Sequence, residues 1–182
     1  MGNGVIKMDL KRNTRKWIGL LIAIAVYFIV HEGAHLMYAL SVGSFKQINI
    51  IGIGVQIEPY IDLMSTVQFG IFNIVGAIST LIMANIAVAL TKKITKSHSL
   101  YFRSIMYYTT LVLLLVDPIY LSFVYKFVGG GDMNGIKLLM PELVASIMFG
   151  IILVINILIS IKYILPRYKD AYENTKQNEH NM

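Results

Sequence analysis

The stretch Val26–Leu40, VYFIVHEGAHLMYAL, places two histidines and a glutamate inside an otherwise apolar run. With its neighbours this run is long enough to cross a membrane, which takes about 20 mostly apolar residues. Each ionisable group at the centre of such a helix costs about 2.5–3.5 kcal/mol on insertion scales. Three of them within five residues therefore predict a functional site.

The composition of the whole chain is that of a membrane protein. Of its 182 residues, 56% are hydrophobic and 14% are charged, whereas a soluble domain carries about 25% charged residues. The apolar residues form four blocks, which predict helices at about 17–42, 67–90, 100–127 and 136–165. We therefore expect an all-α polytopic membrane protein with a single domain at 1–165 and a polar, disordered tail at 166–182.

Basic residues flank the predicted helices on one side. They form three clusters, before helix one, between helices two and three, and after helix four: Lys7, Lys11, Arg12, Arg15 and Lys16; Lys92, Lys93 and Lys96; Lys162, Arg167 and Lys169. Four helices place all three clusters on the same side, which the positive-inside rule makes cytoplasmic. We therefore expect a cell-membrane protein with both termini in the cytoplasm. The net charge of +6 is accounted for in this way and does not indicate nucleic-acid binding.

An alternating segment between helices one and two predicts a short strand or hairpin. The apolar residues Ile48, Ile50, Ile53, Val55 and Ile57 alternate with polar or small residues, which is the period of a half-buried strand. The two glycines in the segment predict a turn or a close backbone approach. An irregular apolar loop is the alternative interpretation.

The spacing of the histidines in HEGAH indicates a metal site. His31 and His35 lie on one face of a helix, about one turn apart, so both imidazoles can bind one ion. Glu32 is rotated by about 100° and can reach a water on the metal without being a ligand. Two zinc ligands and a general base in this order form the H-E-x-x-H arrangement. A hydrogen-bond cluster between helices, or a proton relay, is the alternative. The chain has no cysteine, which excludes thiolate ligands and nucleophiles.

HEGAH inside a transmembrane helix resembles the site-2 protease family of intramembrane zinc metalloproteases. The resemblance is specific at the motif and covers roughly Tyr27–Leu143 in the order of elements. It implies a zinc endopeptidase with one Zn²⁺ per chain, in which Glu32 is the catalytic base and the substrates are membrane-spanning or membrane-inserted peptides. The family has a strand that is similar in position to Ile48–Ile57, and its edge is expected to hold the substrate by strand addition. The residues expected to bind substrate there are Ile53, Val55 and Ile57.

The second predicted helix departs from the family pattern. Its sequence FNIVGAISTLIMANI contains Gly76 but lacks the family's Gly-Pro-x-x-Asn pattern. Asn73 and Asn85 are therefore both kept as candidates for orienting the substrate. The predicted orientation in the membrane also differs from that of the family. The family's site usually opens toward the cytoplasm, whereas the basic clusters place this site in the outer half of the membrane.

A catalytic zinc site usually has a third protein ligand. In the family it is an aspartate, commonly within Leu-Asp-Gly, and this chain offers Asp117 and Asp132 instead. Counted from the basic ends of their helices, His31 and Asp117 both lie ~20 Å deep. Pro118 also loosens the helix beside Asp117. We therefore expect Asp117 to be the third ligand and keep Asp132 as the alternative, with the capping of helix four as the expected role of Asp132.

Two functions other than proteolysis use the same residues. One is a metal or proton transporter. The absence of an internal repeat argues against a transporter, although a dimer would supply the repeat. The other is a binding or immunity protein that has lost the peptidase activity. The intact Glu32 argues against this function. The expected partners are the lipid bilayer and a membrane peptide or protein substrate, with no nucleic acid and with oligomerisation left open.

Overall fold

The computed structural model describes residues 2–52 and 54–180, with the side chains of 13–50 and 54–175. The elements are α1 (Gly2–Ser41), β1 (Phe45–Ile51), β2 (Gly54–Pro59), α2 (Thr66–Ile94), α3 (Leu100–Ser122), α4 (Met133–Ile136), α5 (Glu142–Ile159) and α6 (Leu165–His180). A π-helical turn at Ser160–Ile164 joins α5 to α6. The expected fold class is confirmed, because four long apolar helices are present and a two-stranded sheet lies between the first two.

Within the described part of the chain, four helical segments are long and apolar enough to cross a membrane: Asn13–Ser41, Thr66–Ile94, Leu100–Ser122 and Glu142–Thr175. Many of their large apolar side chains lie on the outside of the bundle; the side chain of Ile29, for example, is 72% exposed. Small residues such as Ala23, Ala77 and Ala84 are fully buried between the helices. Small residues at helix contacts and large apolar ones outside are what packing in lipid requires.

The third helix lies at the centre of the bundle, where it packs against α1, α2 and α5. Pro118 inside α3 leaves the carbonyl oxygen of Leu114 without its helical donor. The side-chain amide of Asn156, on α5, donates to that oxygen at 2.7 Å. Since a buried backbone acceptor in a membrane must be satisfied within the protein, this bond lets α3 continue through the proline.

The chain between α3 and α5 differs from the prediction. Helix α3 ends at Ser122 rather than at about 127, and α5 begins at Glu142 rather than at about 136. The loop between them contains three consecutive glycines, residues 129–131, with φ values of 92°, 90° and 44°. Such positive φ values are readily adopted only by glycine. After these glycines the short helix α4 packs against α2, so the chain folds back onto the bundle.

The tail predicted to be disordered, 166–182, is helical as far as His180, and its last two residues lie outside the described part. The buried ring of Tyr168 packs on Tyr107, with ring centroids 5.0 Å apart. One turn later, Tyr172 lies 5.0 Å below the guanidinium of Arg103. The polar composition predicted disorder, but two tyrosines four residues apart anchor one face of this helix.

The hairpin between α1 and α2 has Ile48 opposite Ile57 and Ile50 opposite Val55. Lys46 and Glu58 form an ion pair at 2.5 Å on the same hairpin. Hydrogen bonds from Lys46, then from the side-chain amides of Asn49 and Gln47, lower the pKa of Glu58 to about 2. One residue predicted to bind substrate, Ile53, lies outside the described residues.

Candidate metal centre

The two histidines of HEGAH lie side by side on α1, as their spacing predicts. Both side chains are buried, and the Nε2 atoms of His31 and His35 are 3.1 Å apart. The other ring nitrogen of His35, Nδ1, is 2.6 Å from the carbonyl oxygen of Phe72 on α2. Because a carbonyl oxygen only accepts, Nδ1 carries the proton and Nε2 has a free lone pair.

The third member of the cluster is Asp132, which the glycine turn carries back to α1. Its Oδ2 lies 3.2 Å from Nε2 of His31 and 3.8 Å from Nε2 of His35. Asp132, kept as the alternative to Asp117, therefore lies beside both histidines although it follows the end of α3 by ten residues. The capping role is wrong, because the predicted fourth helix begins at Glu142, as α5, with Pro141 at its N-cap. Asp132 makes no side-chain cap hydrogen bond to the short helix α4 either. A straight-helix count of depth fails here because α3 ends early and the loop folds back.

The three ligand atoms are spaced as a single metal ion requires. His31, His35 and Asp132 form the one group of potential metal ligands found among the described residues. A triangle with sides of 3.1, 3.2 and 3.8 Å has a point about 2.0 Å from all three corners, and zinc binds nitrogen and oxygen at ~2.0–2.2 Å. Two imidazoles and one carboxylate could therefore hold one metal ion.

Asp117, the predicted third ligand, lies on the other side of His31. Its carboxylate is 3.2–3.3 Å from Nδ1 of His31, the nitrogen that faces away from Asp132. It also accepts a hydrogen bond from the hydroxyl of Tyr27 at 2.6 Å and another from the hydroxyl of Thr80. A buried carboxylate accepts the Nδ1 proton of His31, which leaves Nε2 free for a metal. Asp117 thus occupies the position of a group that orients a ligand and fixes its tautomer.

The backbone of α2 closes the space beside the two histidines at Gly76. A methyl group built on this glycine would lie 2.5 Å from Nε2 of His35 and 2.8 Å from Nε2 of His31. No side chain larger than hydrogen fits there. Gly33, inside the motif, has no such neighbour within 4 Å, so the small size of that residue serves no contact in this structure.

Glu32 faces the hairpin rather than the group of ligand atoms. Its Oε2 accepts a hydrogen bond from the backbone N–H of Ile57 at 3.1 Å. Because alternate residues of a strand direct their N–H groups to the same side, Val55 presents its N–H along the same edge of β2. This edge, predicted to bind substrate, therefore runs beside the predicted general base.

The two asparagine candidates have different surroundings. Asn73 is buried, donates to the carbonyl oxygen of Phe69 at 2.7 Å, and lies against Gly135 of the returning loop. Asn85 is exposed on α2, where it donates to the carbonyl oxygen of Leu81 at 2.7 Å. The structure thus places Asn73 next to the segment that carries Asp132, and Asn85 on the outer face of the bundle.

Sequence reasoning missed the residues that support the ligands. Tyr27 lies one turn before His31 on the same helix face, and this i, i+4 spacing was a usable signal. Thr80 and the carbonyl of Phe72 lie on α2, and no local pattern in the sequence connects them to the motif.

Comparisons of the chain with protein-family models, with curated proteins and with solved structures find no match.

Proposed function

We propose that the chain is an intramembrane zinc endopeptidase of the site-2 protease type. The observation that carries this proposal is the convergence of His31 and His35, on a helix able to cross a membrane, with Asp132 on a returning loop. These three residues would hold the ion. When bound, zinc lowers the pKa of a water to about 7 and polarises a carbonyl group, which is the chemistry that amide hydrolysis needs.

Glu32 is the general base in this proposal. It lies next to His31 but is not a member of the ligand group, so its carboxylate remains available for proton transfer. Glu32 takes a proton from the attacking water as the water oxygen bonds to the carbonyl carbon. It delivers the proton to the amide nitrogen as the C–N bond breaks. The N–H of Ile57 holds one carboxylate oxygen, which fixes the orientation of the other.

The position of the site favours a membrane peptide as the substrate. His35 lies six residues before the end of the Asn13–Ser41 segment, or ~9 Å along the helix, and His31 lies one turn deeper. A helical substrate keeps its carbonyl groups in hydrogen bonds, so the cleaved segment must be extended. The edge of β2 beside Glu32 offers backbone donors and acceptors to such a segment, as strand addition requires.

Transport of a metal ion or proton is the second candidate. The observation in its favour is the buried series of titratable groups formed by Tyr27, Asp117 and His31, which are joined by hydrogen bonds. Proton relays within membranes use such series. Peptide hydrolysis needs Glu32 as a base, whereas a carrier that uses the histidines and aspartates does not, so Glu32→Gln separates the two functions.

The test of the proposed function uses protein in lipid vesicles together with membrane-spanning reporter peptides that contain helix-breaking residues. Mass spectrometry should detect new peptide termini with the wild-type protein and none with Glu32→Gln, while both proteins hold zinc. Glu173→Gln, which makes the same change at an exposed position of α6, is the matched control that should keep cleaving. Cleavage by Glu32→Gln at the wild-type rate would refute the assignment of the base.

A further inference from the structure

A second site lies at the end of the bundle that carries the basic clusters. A cavity of about 780 Å³ opens there between the end of α2, the start of α3 and helix α6. Its lining contains four permanent cations against one carboxylate, Asp170: Lys92, Lys96, Arg103 and Arg167. The side chains of Lys92 and Lys96 are exposed, so both cations are accessible to a ligand.

Arg103 distinguishes this cavity from an ordinary basic surface. It is only 2% exposed, and its guanidinium donates to the carbonyl oxygen of Ala171 at 2.6 Å and to the hydroxyl of Thr175 at 2.7 Å. Its Nε is buried and has no hydrogen-bond partner among the described residues. No carboxylate among the described side chains pairs with it. A buried cation without a counter-charge is unfavourable, so an anion in this cavity would stabilise it.

The position of the cavity along the membrane-length helices indicates which kind of anion it can bind. Its walls come from residues at or near the ends of three membrane-length segments, close to Ile94, Leu100 and Thr175. Exposed aromatic side chains, Trp17 and Tyr101, lie near the starts of the segments Asn13–Ser41 and Leu100–Ser122, as in the belts that mark the headgroup region. Basic pockets between helices at this level are suited to the phosphate of an anionic lipid.

We propose that this cavity binds the phosphate group of an anionic phospholipid, with Arg103 at its base and the two exposed lysines at its rim. The phosphate oxygens accept from the lysine ammonium groups, and the positive charge of the buried Arg103 guanidinium attracts the phosphate from the base of the cavity. Bound there, the lipid joins α2, α3 and α6, and it therefore stabilises the packing of the last helix against the bundle. The site is independent of the proposed peptidase activity.

The experiment measures the thermal unfolding of detergent-purified full-length protein with short-chain phosphatidylglycerol, phosphatidylcholine or inorganic phosphate. Phosphatidylglycerol should raise the unfolding temperature and phosphatidylcholine should not. In the double variant Lys92→Gln, Lys96→Gln the apparent affinity for phosphatidylglycerol should fall about 30-fold, because each lysine contributes about 1 kcal/mol. The double variant Lys93→Gln, Lys169→Gln loses the same charge at the same end but lies outside the cavity lining, and it should stay within about twofold of wild type.

Each outcome has a defined meaning. A shift with inorganic phosphate alone, lost in the first double variant and kept in the second, supports the phosphate site and shows that the glycerol and acyl groups are not needed. Equal weakening in both double variants would overturn the proposal, because the charge at this end would then act only as a diffuse field. The proposal would also be overturned if neither phosphatidylglycerol nor phosphate stabilises the wild-type protein. It would be overturned as well if phosphatidylcholine stabilises the protein as much as phosphatidylglycerol does.

Discussion

Replacing Gly76 by alanine should disrupt the metal centre without touching any ligand. The added methyl group would lie 2.5 Å from Nε2 of His35, whereas ordinary contact begins at 3.4 Å, so the ring or the helix must move by about 0.9 Å. Sites of this kind require their groups within about 0.5 Å of the productive position. We therefore expect zinc affinity to fall by at least 10–100-fold, the range observed when a ligand loses its support.

Gly33→Ala is the matched control for this substitution, because it adds the same methyl group to the interior of a helix. Gly33 has no neighbouring atom within 4 Å of the position that the methyl group would occupy, so zinc affinity should not change. The fold should gain about 0.5–1 kcal/mol, since alanine is favoured over glycine inside a helix. Chelator competition measures zinc affinity in both variants, and circular dichroism checks their helix content. If Gly76→Ala holds zinc as tightly as Gly33→Ala, the two Nε2 atoms are not the ligand atoms.

Three further predictions follow from the loop, the basic clusters and the hairpin. Asp132→Ala should lose zinc on dialysis because two ligands remain, whereas Asp117→Asn should keep it with about 10–100-fold lower affinity; the reverse order would restore Asp117 as the ligand. A cysteine placed at Ser97 should be shielded from an impermeant thiol reagent in intact cells, and labelling there would overturn the proposed orientation. An NMR titration of Glu58 should give a pKa of about 2, and Lys46→Gln should raise it toward the ordinary value. A value for Glu58 that does not respond to this substitution would contradict the ion pair.

Much of the fold could be predicted from the sequence because its determinants are local. The length of an apolar run sets a spanning helix, and the alternation from Ile48 to Ile57 sets a hairpin. The errors lie where a distant contact decides the structure. Helix α6 is polar in composition, but Tyr168 packs on Tyr107 of another helix, which no window of sequence around it reveals.

The candidate site also has one part that local sequence predicts and another part that depends on distant contacts. His31, Glu32 and His35 lie within one and a half turns of a single helix, so their spacing was sufficient to place them together. The position of Asp132 depends on a loop, and the three consecutive glycines of that loop permit many backbone conformations. Depth along straight helices favoured Asp117, which is close to His31 but contacts the opposite ring nitrogen. The depth count correctly placed Asp117 near His31, but it contains no information on which ring nitrogen a carboxylate contacts.

The zinc content of the purified protein decides whether HEGAH is a metal site. Protein purified without chelators should hold about one zinc ion per chain, and the double variant His31→Ala, His35→Ala should hold none, since the ion would retain a single protein ligand. Glu32→Gln, measured in parallel, should hold as much zinc as the wild-type protein because the base is not a ligand. If the double variant binds as much zinc as wild type, HEGAH is not the metal site and the proposed peptidase is wrong.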